Sequence, residues 1–271
     1  GVSAPCQYVP SVKAMALELT QVQFVPLKRA AEFFAGKFNL PLSQASILKF
    51  TQEIYEKLKN CENKTKQDLI GSELLYADET GININAKNAW IHSVSNETTV
   101  LMAPHFKRGN EGIDSIGILP KYHSILCHDF WAAYGAYDAI HVTCHAHIKR
   151  ELAKANEEYR QKWAKKLSKL LQKANSLREK QGGILEWKQI RAIEGRYDKI
   201  IAKAEKKCPL KTKRKWDRGR IGQAYPRQLL SRLKNKKSWV LMFLYDPRVP
   251  FTNNQAERDI RMAKVQQKVS G

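Results

Sequence analysis

Between residues 72 and 146 the apolar residues follow a strand-like pattern, while the stretches on either side are helical in period. SELLYADET (72–80), GININAKNAWIHSVS (81–95) and TTVLMAPH (98–105) read as three consecutive strands, and the short links between them suit a meander of antiparallel hairpins. A helix is expected around 110–119. YHSILCHDF (122–130) and DAIHVTCHA (138–146) are short apolar runs that read as a fourth and a fifth strand. The helix-like WAAYGAY between them gives the spacing of a parallel βαβ edge.

The order β-β-β-α-β-α-β predicts an α/β protein with a ribonuclease H-like mixed-sheet core. An N-terminal helical segment, residues 1–70, precedes it. There Leu27, Ala31, Phe34 and Phe38 fall on one helical face and Ile47, Phe50, Ile54 and Leu58 on another. Between them GKFNLPLS supplies Gly36, Pro41 and a Ser43 cap, a helix–turn–helix outline that two packed amphipathic helices with no DNA role would share. Residues 71–147 form the first part of the core, and 148–245 read as a large helical insertion with turns at Gly182-Gly183 and within 208–222. Residues 246–271 return to the core as a final helix.

Charge is distributed unevenly among these segments. Of the net +21, residues 148–240 carry 29 Lys or Arg against 9 Asp or Glu, while the remainder carries 18 against 17. A field so concentrated would attract a polyanion and neutralise phosphates, so nucleic acid is the expected partner; a merely solvated helical face is the plain alternative. At 43% apolar content the 271 residues can bury one large core or two modest ones. No apolar run approaches the ~20 residues that span a bilayer. Five scattered cysteines, Cys6, Cys61, Cys127, Cys144 and Cys208, do not resemble a disulfide framework, and a cytoplasmic location is expected. A start at Gly1 and a stop at Gly271, directly after a basic helical pattern, are expected of a piece of a longer protein.

Asp78 ends the first strand and Asp129 the fourth, and in this strand order those two strands are neighbours. Two buried carboxylates repel each other unless a divalent cation neutralises them. FTNNQAERDIR (251–261) supplies a third, Glu257, at the start of a helix that Thr252 or Asn253 can cap. Asn253 and Asn254 precede Glu257 by four and three residues and Arg261 follows it by four, so all can share its face; an ordinary surface helix with a Glu–Arg pair fits the same spacing. Three carboxylates are a hard oxygen set suited to Mg²⁺ or Mn²⁺, and two such ions are expected. Arg258, Arg261, Lys264 and Lys268 on the same helix are expected to contact phosphates. Glu79 points away from Asp78 by strand alternation, and Asp259 leaves the Glu257 face. Asp68 and Asp138 are likewise set aside. Trp131 and Tyr134 are expected to pack the turn after Asp129, with base stacking as the other option.

YVPSVKAMALEL, YADETGI, LCHDFWAAY, CHAHIKRE and PFTNNQAERDIRMAKVQQKVSG together resemble the bacterial insertion sequence 66 family of transposases, over nearly the whole chain. The NN-x-AER core followed by a basic helix is the most specific of these. The resemblance implies that Asp78, Asp129 and Glu257 are an aspartate–aspartate–glutamate triad, catalytic and metal-binding, in a ribonuclease H-like fold with a helical insertion before the glutamate. It also implies further N-terminal DNA-binding elements in family members. Cys144 and His147 are implied to be structural supports of the core, a single C-x-x-H being half of a zinc site, while the amides of Asn253 and Asn254 are expected to play a structural part by orienting Glu257. The family commonly has an aromatic residue where His145 stands.

The expected function is therefore a DNA transposase that cuts element ends and joins the 3′-hydroxyl to target DNA. Its expected partners are both DNAs, further copies of the chain in a synaptic complex and, as an open question, accessory proteins. The alternatives are a catalytically silent DNA-binding relative and a metal-dependent nuclease with the same core.

Overall fold

A computed structural model describes residues 8–212 and 221–269, without the side chain of Gln266. The interior of the expected turn within 208–222, Cys6 and the last two residues lie outside the described residues.

The N-terminal segment is helical. Helix α1 (Pro10–Leu17) continues as a π-helical turn to Val22, followed by α2 (Leu27–Phe38) and α3 (Gln44–Ile70). Asn39, left-handed at φ 50°, ends α2, and the Ser43 hydroxyl starts α3 by accepting from the Ser46 N–H at 3.0 Å. Ala16, Ala30, Phe34, Leu42, Ile47 and Phe50 form a small core of their own. Phe38 and Leu58, expected on buried faces, are 53% and 48% exposed. Leu58 lies well past the first turns of α3, which supply Ile47 and Phe50 to that core, and Phe38 is the last residue of α2, its ring beside those of Phe33 and Phe34.

The sheet comes next, and its first hairpin differs from expectation. Strand β1 spans Leu74–Ile84 and β2 Lys87–Ser95, so the turn lies at Asn85-Ala86 and not at Gly81. Both turn residues have positive φ (49° and 60°), the twist that a two-residue hairpin needs. Gly81 stays inside β1 opposite Trp90, whose ring would stand in ordinary contact, at 3.7 Å, with a side chain placed there. The glycine expected to open a second strand is thus an interior residue of the first.

Strand β3 (Val100–His105), helix α4 (Asn110–Ile116), strand β4 (Ile125–His128), a 3₁₀ turn (Ala132–Ala136) and strand β5 (Ile140–Thr143) complete the sheet. The strand order is β3-β2-β1-β4-β5, with β1–β2 and β2–β3 antiparallel and β1–β4 and β4–β5 parallel. This is a five-stranded mixed sheet, as the spacing of the apolar runs predicts.

Strand alternation divides the core between two faces. Leu75, Ala77 and Leu126 point to one side, against Leu69, Ile113, Ile116 and Leu119. Tyr76, Cys127 and Val142 point to the other, which is covered by α5 (His145–Glu157), α6 (Lys162–Lys180), α7 (Trp187–Lys207), α8 (Tyr225–Asn235) and α9 (Lys237–Leu241). The apolar stripes have helical spacing: Trp163, Leu167, Leu171 and Ala174 on α6, and Ile190, Ile193, Tyr197, Ile201 and Ala204 on α7. Each fully buried Leu or Ile contributes roughly 1.5–3 kcal/mol by leaving water. Gly182 and Gly183, at φ 70° and 94°, make the α6–α7 turn, a conformation that favours glycine at both positions. These helices share one continuous apolar cluster with the sheet face, and Ala256 of the last helix, α10 (Asn254–Lys268), joins it.

Candidate catalytic site beyond the paired stretch of β1 and β4

Asp78, expected at the end of the first strand, lies within β1, which runs on to Ile84 and pairs Asp78 with Ser93; it is the parallel pairing to β4 that ends before Asp78. The β1–β4 register runs Leu74↔Ile125, Leu75↔Leu126, Tyr76↔Cys127, and Asp78 and Asp129 each lie two residues beyond the last pair. By alternation both belong to the face of Tyr76 and Cys127, the face that the helices cover. Asp78 Oδ1 accepts from the Glu79 N–H at 2.9 Å and Asp129 Oδ1 accepts from the Trp131 N–H at 2.8 Å. Burial pushes the Asp78 carboxyl up to about 6, and the neighbouring Glu79 and Asp129 charges push the same way.

Helix α10 packs across β1 and β2. Its position is set by Asn253, 1% exposed, whose backbone N–H donates to Cys144 Sγ at 3.1 Å and whose side-chain amide donates to the Ala77 carbonyl at 3.2 Å. The sequence suggests a side-chain cap at this position. Instead the amide reaches across to β1, and Asn253 Oδ1 has no hydrogen-bond partner among the described residues. These two bonds tie the start of α10 to β1 and to the start of α5, one turn before Glu257; among the described residues the donor atoms close enough to share a metal ion are those of Cys144, His147 and Glu257, a group that includes neither Asp78 nor Asp129.

Glu257 itself is held by α5. Arg150 Nη2 donates to Glu257 Oε1 at 3.0 Å, and His147 Nδ1 lies 3.9 Å from the same oxygen. The expected partners do otherwise: Arg258 pairs with Gln255, Asn254 is exposed, and Arg261 and Lys268 project into solvent. Lys264 donates to the Gly81 carbonyl and so clamps α10 onto β1. Arg150 was missed from the sequence, although its spacing of three from His147 puts the two on one helical face.

Cys144 stands at the N-cap position of α5, and its Sγ, His147 and Glu257 offer donor atoms all within 4.8 Å of one another. Burial pushes the Cys144 thiol up, but the neighbouring His147 ring and the Asn253 N–H outweigh it and hold the thiol below the ordinary cysteine range. His147 moves the opposite way, raised chiefly by Cys144. His145 stacks on Phe251 at 4.1 Å between ring centres, filling the place of an aromatic residue. Its ring is driven down to about 4 by burial.

The other acidic residues are accounted for. Glu79, on the opposite face, is buried and accepts from Arg108 at 2.6 Å and from the Tyr134 hydroxyl at 2.7 Å. The Arg108 guanidinium lies between the rings of Trp90 and Trp131, at 4.7 and 4.4 Å. Tyr134 and Trp131 therefore serve packing. Asp259 accepts from Gln255, and Asp138 stands exposed beside His123. Behind Asp129, His128 Nε2 and His141 Nδ1 are 3.0 Å apart under Trp239, a buried pair with no sequence signal beyond two scattered histidines.

The profile of the family described as "Transposase IS66 family" matches residues 5–271. The chain belongs to that family. No curated protein matches it. Membership of the transposase IS66 family implies use of a divalent cation, and the two aspartates fit one. Each keeps a carboxylate oxygen outside its backbone bond, and the negative charge gathered around Asp78 is what a cation would offset. Among the described residues no helix is long and apolar enough to cross a membrane.

Proposed function

We propose that this chain is a DNA transposase that cleaves DNA strands and transfers a 3′-hydroxyl end, with Asp78, Asp129 and Glu257 as the catalytic and metal-binding triad. What supports this reading is the β1–β4 register, with Asp78 and Asp129 each two residues past its last pair, and the Asn253 bonds to Ala77 and Cys144 one turn before Glu257. The strand order supports a ribonuclease H-like core, with residues 71–147 and 246–271 as its two parts and 148–245 as an insertion.

The two aspartates and Glu257 would hold Mg²⁺ or Mn²⁺, two ions in our reading, which when bound supply nucleophile activation and stabilise the leaving oxygen. The chain's own part is orientation. Backbone N–H groups fix the rotamers of Asp78 and Asp129, while Arg150 bonds the Glu257 carboxylate, which a cation would have to take from it. Water would attack first and the freed 3′-hydroxyl second, so no covalent protein–DNA intermediate is needed. Arg258, Arg261 and Lys268 face solvent on the helix that carries Glu257, where they would contact phosphates; Lys264 would do so only by leaving Gly81.

A second surface supports DNA as partner. Arg160, Lys162, Lys166, Lys199, Lys203, Lys206 and Lys207 line a groove of about 750 Å³ between α6 and α7. Among the described residues none of these has an ion-pair partner, whereas Lys154, Lys234 and Lys237 do. Unpaired cations around a concave surface suit a phosphate backbone. Holding two element ends calls for a synaptic assembly of two or more copies, acting in the cytoplasm.

The test is Mg²⁺ binding by calorimetry and cleavage of supercoiled plasmid, in wild type and in Asp78→Asn, Asp129→Asn and Glu257→Gln. Loss of cleavage in all three supports the triad; cleavage surviving in any of them removes that residue from it.

A further inference from the structure

Cys144, His147 and Glu257 do not look like a Mg²⁺ site. A thiol, an imidazole and a carboxylate, with donor atoms all within 4.8 Å of one another, are a mixed soft set of the kind that selects zinc-class ions over hard oxygen-seeking ones. The donors come from different elements whose relative placement is already fixed. Cys144 stands at the N-cap of α5 and His147 in its first turn, so the C-x-x-H spacing puts both on one side of the helix start. Glu257 sits in the first turn of α10, which Asn253 ties to Cys144 itself.

Two further observations point to a ligand. His147 Nδ1 is buried with no hydrogen-bond partner among the described residues, although Glu257 Oε1 is 3.9 Å away. Cys144 Sγ accepts the Asn253 N–H at 3.1 Å, the outer support that a metal-bound thiolate uses. We propose that Cys144, His147 and Glu257 bind one zinc-class transition-metal ion, with a fourth position open to water.

This site shares Glu257 with the proposed Mg²⁺ triad, so the two occupancies exclude each other. A zinc-class ion would hold Glu257 toward α5 and leave Asp78 and Asp129 without their third carboxylate. Zinc would then inhibit Mg²⁺-dependent cleavage, a consequence that rests on the catalytic reading, whereas the binding itself does not. Arg150, 3.0 Å from Glu257, competes with the ion for that carboxylate.

The experiment is Co²⁺ titration of the reduced, metal-free protein, followed by visible and near-ultraviolet absorption. The expected result is a thiolate-to-cobalt charge-transfer band with intense tetrahedral d–d absorption, saturating at about one ion per chain. Cys144→Ser should abolish the band, His147→Ala and Glu257→Gln should each weaken binding by at least about tenfold, and Asp78→Asn should leave the spectrum unchanged. Circular dichroism of each variant separates a binding defect from a folding defect. No band in wild type, or a band that survives in Cys144→Ser, overturns the site. A Zn²⁺ titration of plasmid cleavage then tests the coupling: inhibition relieved in Cys144→Ser supports exclusion, and inhibition unchanged in that variant refutes it. Wild type that binds Co²⁺ but never cleaves would sink the catalytic reading and leave the metal site standing.

Discussion

Arg150 and Glu257 are joined across two helices, with Nη2 3.0 Å from Oε1, so α5 controls the carboxylate that α10 carries. Arg150 is 64% exposed, and a pair so open to solvent contributes less than about 1 kcal/mol to stability. Its effect should fall on cation binding, because it competes for Glu257. Arg150→Gln is expected to barely change the urea midpoint while lowering the Mg²⁺ concentration for half-maximal cleavage several-fold.

Asp78 gives an opposed pair of effects. The folded protein holds its proton more tightly than the unfolded chain does, since burial, then Glu79 and Asp129, raise the carboxyl from 3.8 to about 6. Stability is therefore fullest below the unfolded value and is lost as pH rises toward 6. Without divalent cation, Asp78→Asn should be more stable than wild type at pH 7 by up to about 3 kcal/mol, and the gap should close below about pH 4. The same variant should have no cleavage activity. His128 slopes the other way: burial, then His141, drives it down to about 3, so its contribution is present above 6.5 and is lost as pH falls. Variant and wild type must be compared at each pH, by denaturant unfolding.

Arg178 acts at a distance from the chemistry. Only 8% exposed, it donates to the carbonyls of Gly183 at 3.1 Å, Pro247 at 2.8 Å and Val249 at 3.0 Å, bolting the end of α6 to the loop before α10. Arg178→Met leaves three carbonyls without their donor, the buried one at Val249 among them, and should cost about 1–3 kcal/mol in urea unfolding. Arg178→Lys, with a single ammonium, should recover only part of it.

The α6–α7 groove should register in salt dependence. Replacing Lys166, Lys199 and Lys203 by Ala should weaken binding to any duplex alike and flatten the plot of log affinity against log salt by about one unit for each phosphate left without its lysine. An unchanged slope would place the DNA elsewhere.

Period and order made the sheet readable: a meander followed by two short apolar runs left few topologies, and β3-β2-β1-β4-β5 is among them. Asp129 directly follows β4 as expected, whereas Asp78, read as a strand end, lies within β1 because the strand continues through Gly81 to Ile84. What the sequence hid were relations between distant segments. Asn253 looks like a helix cap by composition, yet its amide bonds to Ala77 because a carbonyl on β1 lies within reach once α10 docks. Arg150 looks like one basic residue among many until α10 supplies its partner. The Asn85-Ala86 turn escaped notice because Asn-Ala is a weaker hairpin signal than Asn-Gly.

The bond between Asn253 and Ala77 spans 176 residues of chain, and that between Asn253 and Cys144 spans 109. Contacts so far apart form late, because loop closure must precede them. As the polypeptide leaves the ribosome, the sheet and its paired aspartates can form long before the last helix has been made. Under the proposed reading, a nascent or prematurely terminated chain carries two of the three carboxylates and cannot cut the chromosome that encodes it.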